Sequence, residues 1–426
     1  MRHPRRRMLA LPVGLTAALT LSACGGGGDG GGDGDIELVV ATFNEFGYEE
    51  LLEEYEEANP GITVIQRKTG TAEAHHQNLF TKIGAGSGLA DIEGVEEGYI
   101  AQAMEASGRF HDLNEIGPDD VSPDRWLDWK YEGGQTPDGK LIGYGTDIGP
   151  LAMCYRADLL EEAGLPSDPA EVGELFATWD SYFAAGDEFI AANPDTAWFD
   201  FGPQVFNAMH NQLETGYYDT DSNLVVETNA DIRDNWDQVV AAIEGGQSAG
   251  LEAFSPAWDT SFREDAFATK TCPPWLLGQI EELAGPDKVW RVAEDFPDGG
   301  GNWGGTWLTV PTQTDHPEEA AALAAWLTAP EQQTRAFVAS GPFPSQIEAL
   351  ESEELLALTN EYFDVDTGAL FAERAADVGP AQFKGPRDGQ IQSNVLSPAL
   401  ASIEEGTASP DQAWDAFLSG SLNLAG

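Results

Sequence analysis

The chain has 426 residues, 42% hydrophobic and 10% aromatic, which is ample for a core, so its acidity does not signal disorder. Seventy-three Asp and Glu against 21 Lys and Arg give a formal net charge of -52. Such a surface repels nucleic acid and anionic headgroups and disfavours anionic solutes, so the ligand expected is neutral or cationic, unless the charge serves only solubility in a salty habitat.

Reading from the start, Arg2, Arg5, Arg6 and Arg7 form a positive n-region. Met8 to Leu21 is apolar but shorter than the roughly 20 residues a spanning helix needs. Leu21-Ser22-Ala23-Cys24 then resembles the lipobox of bacterial lipoproteins. That resemblance implies a signal peptide over 1–23 and acylation of Cys24, with an ordinary cleaved signal peptide as the alternative. Arg5-Arg6 also resembles a twin-arginine export signal, with Pro4 where Ser or Thr is usual, so the export route stays open. Gly25 to Asp35 is almost entirely Gly and Asp and has nothing to bury, so residues 24–35 read as a tether.

The body opens with an apolar strand, Ile36 to Ala41, and a helix over Tyr48–Ala58 that Asn59-Pro60-Gly61 stops. A strand over Ile62–Ile65, a helix over about Ala72–Ala85 and a short strand over Asp91–Val95 follow. This alternation predicts an open α/β sheet with right-handed crossovers. Further strands are expected at Leu141–Tyr144, Leu151–Tyr155 and Thr306–Val310. Helices are expected at Arg156–Ala163, Asp180–Asn193, Asp231–Glu244, Pro317–Leu327, Ser352–Asn360, Ile391–Glu405 and Asp411–Ser419.

Three cysteines occur, and assigning Cys24 to an anchor leaves Cys154 and Cys272 in an exported chain. They are expected to form one disulfide, the alternative being two separate buried thiols.

Four segments in order carry a family resemblance. They are Tyr55 to Val64, Ile83 to Ile92, Gly145 to Leu160, and Phe267 to Trp275 with its Cys272-Pro273-Pro274-Trp275 pattern. Behind the lipobox-like segment, they resemble the family 1 extracellular solute-binding proteins of ABC sugar importers. The last two look most like cellobiose- and cello-oligosaccharide-binding members. The resemblance implies an α/β, two-lobed, periplasmic-binding-protein-like fold with a hinge and an interlobe cleft. Three crossings are expected near Thr146–Gly149, Gly300–Gly304 and Ser340–Pro344, all rich in Gly or Pro. One lobe would then comprise 36–146 plus 304–340 and the other 147–303 plus 341–426. The resemblance also implies a monomeric receptor, lipid-anchored to the membrane and docking on permease subunits. No cofactor and no metal are expected.

Neutral sugars need aromatic faces for their C–H surfaces and polar groups for their hydroxyls. Trp275 matches the family's cleft aromatic, Trp303 lies at an expected crossing, Trp258 sits in a loop-like stretch, and Phe383 lies where family members place another aromatic. Core packing is the alternative for each. Trp126, Trp129, Trp179, Trp236, Trp326 and Trp414 lie in or beside helical patterns and are expected in the core. The polar candidates are Asn44 and Glu45 after the first strand, Glu97 after the third, Asp147 at the first crossing, and Arg387 beside Phe383. Solvated surface charge is the alternative, a strong one in so acidic a chain.

Catalytic patterns fail one by one. Ser87 lacks the flanking glycines of a nucleophile elbow, since Ala85 and Leu89 stand there. Gly84 to Leu89 misses the dinucleotide fingerprint at its last position. Asp219 to Asn223 starts like a calcium loop, but Leu224 replaces the Gly and Ala230 the bidentate Glu. His75 and His76 are adjacent on a helix and cannot both face one metal. The resemblance implies a carrier of β-linked gluco-oligosaccharide, with xylo- or malto-oligosaccharides as other ligands. A secreted glycoside hydrolase and a surface adhesin are the alternatives of other classes.

Overall fold

The computed structural model describes residues 35–379 and 382–425. The arginine-rich start, Cys24 and most of the Gly/Asp stretch lie outside the described residues, so the signal-peptide, lipidation and tether expectations are not addressed by it. Among the described residues eleven strands run in chain order: β1 Ile36–Phe43, β2 Ile62–Thr69, β3 Ile92–Glu96, β4 Gly143–Gly145, β5 Asp147–Ile148, β6 Met153–Arg156, β7 Ala197–Phe199, β8 Phe267–Thr271, β9 Trp290–Val292, β10 Thr306–Thr309 and β11 Phe343–Pro344.

The first sheet has the order β2-β1-β3-β10-β4. β1 runs parallel to β2 and β3, whereas β10 runs antiparallel to β3 and β4. Interior β1 is buried along Leu38–Phe43, a run that is apolar but for Thr42, as a strand covered on both faces requires. Edge β2 alternates partly buried and exposed residues, and its charged Arg67 and Lys68 guard the free edge. The helix Ala72–Ala85 starts where Thr71 Oγ1 accepts the Ala74 N–H and ends at Gly86 in the left-handed region.

The second sheet has the order β7-β8-β6-β9. Its strands carry the largest core cluster, which includes Trp179, Trp198 and Trp236. Cys154 of β6 and Cys272, just past β8, are disulfide-bonded with Cα atoms 5.7 Å apart.

These two sheets are the centres of a two-lobed α/β fold. Between them, β5 pairs antiparallel with β11 in a two-stranded ribbon. Residues 301–306 run alongside: Thr146 N–H donates to Thr306 O (2.8 Å), Trp303 N–H to Gly149 O (2.7 Å) and Leu151 N–H to Gly301 O (2.9 Å). The three segments expected to connect the lobes thus lie side by side and are hydrogen-bonded together.

Several elements differ from expectation. The late helix over 391–405 is three pieces, Asp388–Ile391, a π-helical turn Gln392–Leu396, and Ser397–Glu404. The helix over 352–360 shrinks to Glu353–Leu356. Trp258 lies on a short helix, Pro256–Ser261, and not in a loop.

Candidate functional site

A cavity of about 1490 Å³ opens between the two sheets. Its walls come from the carboxyl ends of β1 and β3, from the helix Pro274–Ala284 and from the crossing Trp303–Thr306. This is where the twist and layer order of an open α/β sheet leave a crevice.

Trp275 is the second residue of the helix Pro274–Ala284, directly after the disulfide, so bonded Cys272 fixes where the helix starts. Trp303 projects from the crossing. The two rings meet edge to face, centroids 6.3 Å apart, and both are partly exposed to the cavity. Beneath Trp303 lies a buried ion pair, Lys270 Nζ to Asp200 Oδ2 at 2.9 Å, both residues 1% exposed. The ammonium sits 6.0 Å from the Trp303 ring centre and 5.8 Å from that of Trp258.

Asn44 and Glu45 follow β1 and are exposed in the cavity wall. Asn44 adopts φ +46°, a conformation short polar side chains tolerate. Glu45 pairs with Lys68 at 2.7 Å on the rim.

Glu97 and Asp147 also line the cavity, but each commits an oxygen to the crossings. Glu97 Oε2 accepts from Asn302 Nδ2 (3.1 Å) and the Gly304 N–H (3.2 Å). Asp147 Oδ1 accepts from the Thr146 hydroxyl and from the Thr306 N–H at 3.0 Å. Lys130 is buried beside them, its Nζ 3.5 Å from the Trp307 ring centre and without a hydrogen-bond partner. Burial lowers its pKa to about 8, opposed by Asp147, Glu97 and Glu96. A Cβ on Gly305, which has φ +105°, would meet Lys130 Nζ at 2.8 Å and Asp147 O at 2.5 Å, so only glycine fits there.

Three residues singled out from the sequence are not on the wall. Trp258 is fully buried, and its Nε1 donates to Asp200 Oδ2 (2.8 Å). Its helical turn points the indole into the core. Phe383 packs against the core of the second lobe; its neighbour Lys384 reaches the cavity, where Nζ donates to Asn211 Oδ1 at 2.7 Å. Arg387 is paired with Glu105 at 3.2 Å, which ties the helix Glu97–Glu105 to the helix Asp388–Ile391.

Other wall residues carried no sequence signal. Asn207 and His210 come from the helix Gly202–His210, and Phe254 from a loop before Trp258. His210 stacks on Tyr217 with centroids 3.9 Å apart. Burial holds its pKa well below the usual value, so the ring is neutral.

The two adjacent histidines are both buried. His76 Nε2 accepts the Glu96 N–H (2.9 Å) while Nδ1 faces Ala72 O (2.6 Å), which fixes a neutral tautomer and agrees with a pKa lowered by burial to about 3. Among the described residues no group of three or more His, Cys, Asp or Glu is placed to hold a metal ion. No helix among them is long and apolar enough to cross a membrane.

A sequence model for the bacterial extracellular solute-binding proteins matches residues 50–360. The chain belongs to this family, and such proteins carry solutes and do not transform them. The solved structure of a family 1 extracellular solute-binding protein is 49% identical, with a TM-score of 0.84, covering 92% of this chain and all of that one. The arabinooligosaccharide-binding protein of Bacillus subtilis (strain 168) is 24% identical over 93% of this chain and 94% of its own length. The ABC transporter associated binding protein from B. animalis subsp. lactis Bl-04, solved with β-1,6-galactobiose, shares the fold at 19% identity. Its TM-score is 0.77, over 91% of this chain and 97% of that one.

Proposed function

We propose that this protein captures a neutral oligosaccharide in the cleft and delivers it intact to the permease of an ABC importer. The observation that carries this reading is the cavity of about 1490 Å³ whose wall presents Trp275 and Trp303 edge to face beside exposed Asn44. Indole faces stack on sugar C–H surfaces, and amides and carboxylates take the hydroxyls. The strongly acidic surface also favours an uncharged solute.

Trp275, Trp303, Asn44, Glu45, Glu97 and Asp147 are the proposed contacts, the last two also holding the crossings. The lobes are 36–146 plus 304–340 and 147–303 plus 341–426. Cello-oligosaccharides remain the preferred ligand on the family resemblance. The alignment with an arabinooligosaccharide-binding protein along nearly its whole length favours arabino-oligosaccharides as the second reading. Acylated Cys24, followed by the Gly/Asp tether, holds the body at the outer face of the membrane.

Tryptophan fluorescence during titration with cello-, xylo- and arabino-oligosaccharides tests the carrier reading. One series should quench the signal without reducing-sugar release. Trp275→Ala or Trp303→Ala should weaken that binding by about 1–3 kcal/mol, the scale of a lost buried aromatic contact. Unaltered affinity in both variants would remove the aromatic site, and sugar release would make the protein a hydrolase.

A further inference from the structure

Phe254 is 51% exposed, lies in the cavity wall, and has φ +65°. That backbone region is costly for any residue bearing a Cβ, and a strained residue persists only where its surroundings hold it. Here they do. On one side Leu251 N–H donates to Asp200 O at 3.0 Å. On the other, Ser255 Oγ accepts the Trp258 N–H at 3.2 Å and starts the helix Pro256–Ser261. Beneath the ring lies Trp258, centroid 5.1 Å away, itself fastened to Asp200 and fully buried.

The loop therefore holds an apolar ring partly in solvent, where its water-facing surface adds nothing to the core. The ring is also continuous with the tryptophans of the site. It lies 6.4 Å from Trp275 and only 29° from parallel, and Trp275 lies 6.3 Å from Trp303. Three aromatic rings thus follow one another along the cavity wall from the crossing to Phe254, 6.3 and 6.4 Å apart. The cavity of about 1490 Å³ exceeds the roughly 300–1,000 Å³ typical of small-molecule sites, so it has room for a chain of sugar units.

We infer that Phe254 is a sugar-stacking residue forming an outer subsite, and that the ligand is a chain of three or more units. This rests on the oligosaccharide reading above and adds its length. A preorganised ring contributes to binding without the entropy of ordering a loop.

Calorimetric titration with cello-, xylo- and arabino-oligosaccharides, from disaccharide to pentasaccharide, tests it. In the series that binds, wild-type affinity should rise from the disaccharide to the trisaccharide. Phe254→Ala should lose about five- to tenfold on the trisaccharide and longer ligands, leave the disaccharide unchanged, and be rescued by Phe254→Tyr. Phe254→Gly suits the positive φ and removes the ring without strain, so it should reproduce the same length-dependent loss in a fully folded protein. No loss, or an equal loss at every length, overturns the outer subsite. Failure of every sugar to bind the wild-type protein overturns the carrier reading instead, and this inference with it.

Discussion

A carboxyl removed from water keeps its proton, and Glu93 and Asp388 are two such groups. Glu93 is 2% exposed and Asp388 3%, and burial raises each to a pKa of about 7. The folded state thus binds these protons more tightly than the unfolded chain. Their stabilisation is complete below the unfolded values near 4, and is lost as pH rises to about 7. Buried neutral His76 and His210 act in the opposite sense, so the check is a difference: relative to the wild type, Glu93→Gln with Asp388→Asn should gain melting temperature as pH rises from 4.5 to about 8. A melting-temperature difference between variant and wild type that stays constant across this range would contradict the argument. Residue identity alone did not reveal these groups, because an acid buried by its neighbours reads in the sequence like any other acid. The same limit misplaced Trp258. Its sequence, Ser255-Pro256-Ala257, suggests a loop, yet those residues are a helix start whose first turn aims the indole inward.

At the scale of elements, legibility followed the strength of local signals. The helices Ala72–Ala85 and Pro317–Leu327 were readable in full because each has its stop or start chemistry in the sequence, Gly86 for one and Pro317 with two Glu for the other. β5 and β11 are two residues each, too short for any periodicity, and exist only because the crossings pair. The seam between the helices Glu97–Glu105 and Asp388–Ile391 was equally hidden. Gly98 faces Gly389 so closely that a Cβ on Gly389 would stand 2.9 Å from Gly98 O. Arg387–Glu105 and Gln390–Gln102 extend the contact along one helix face. Gly389→Ala should force these helices apart. In small-angle scattering the ligand-saturated variant should have a larger radius of gyration than the wild type, with weaker sugar affinity. Identical scattering and affinity would show the seam to be slack.

At the scale of the whole molecule, the proposed capture depends on two lobes joined by paired strands. Two crossings share hydrogen bonds through Asn302, Asp147 and Glu97, and the third joins them where β11 pairs with β5. Cys24→Ser should release the protein from the membrane fraction into the medium, because a lone tether of Gly and Asp has no affinity for lipid. Continued sedimentation with membranes would remove the anchor. The opening alternation of strands and helices, the family, and two of the aromatic residues in the cleft followed from local runs, capping residues and short patterns, which depend on neighbours in the chain. Which acids lost their water, which tryptophan turned inward, and that a phenylalanine without a sequence pattern lines the wall depended on contacts between separate elements. Burial and close approach are properties of the packed whole, and only the tertiary structure decided them.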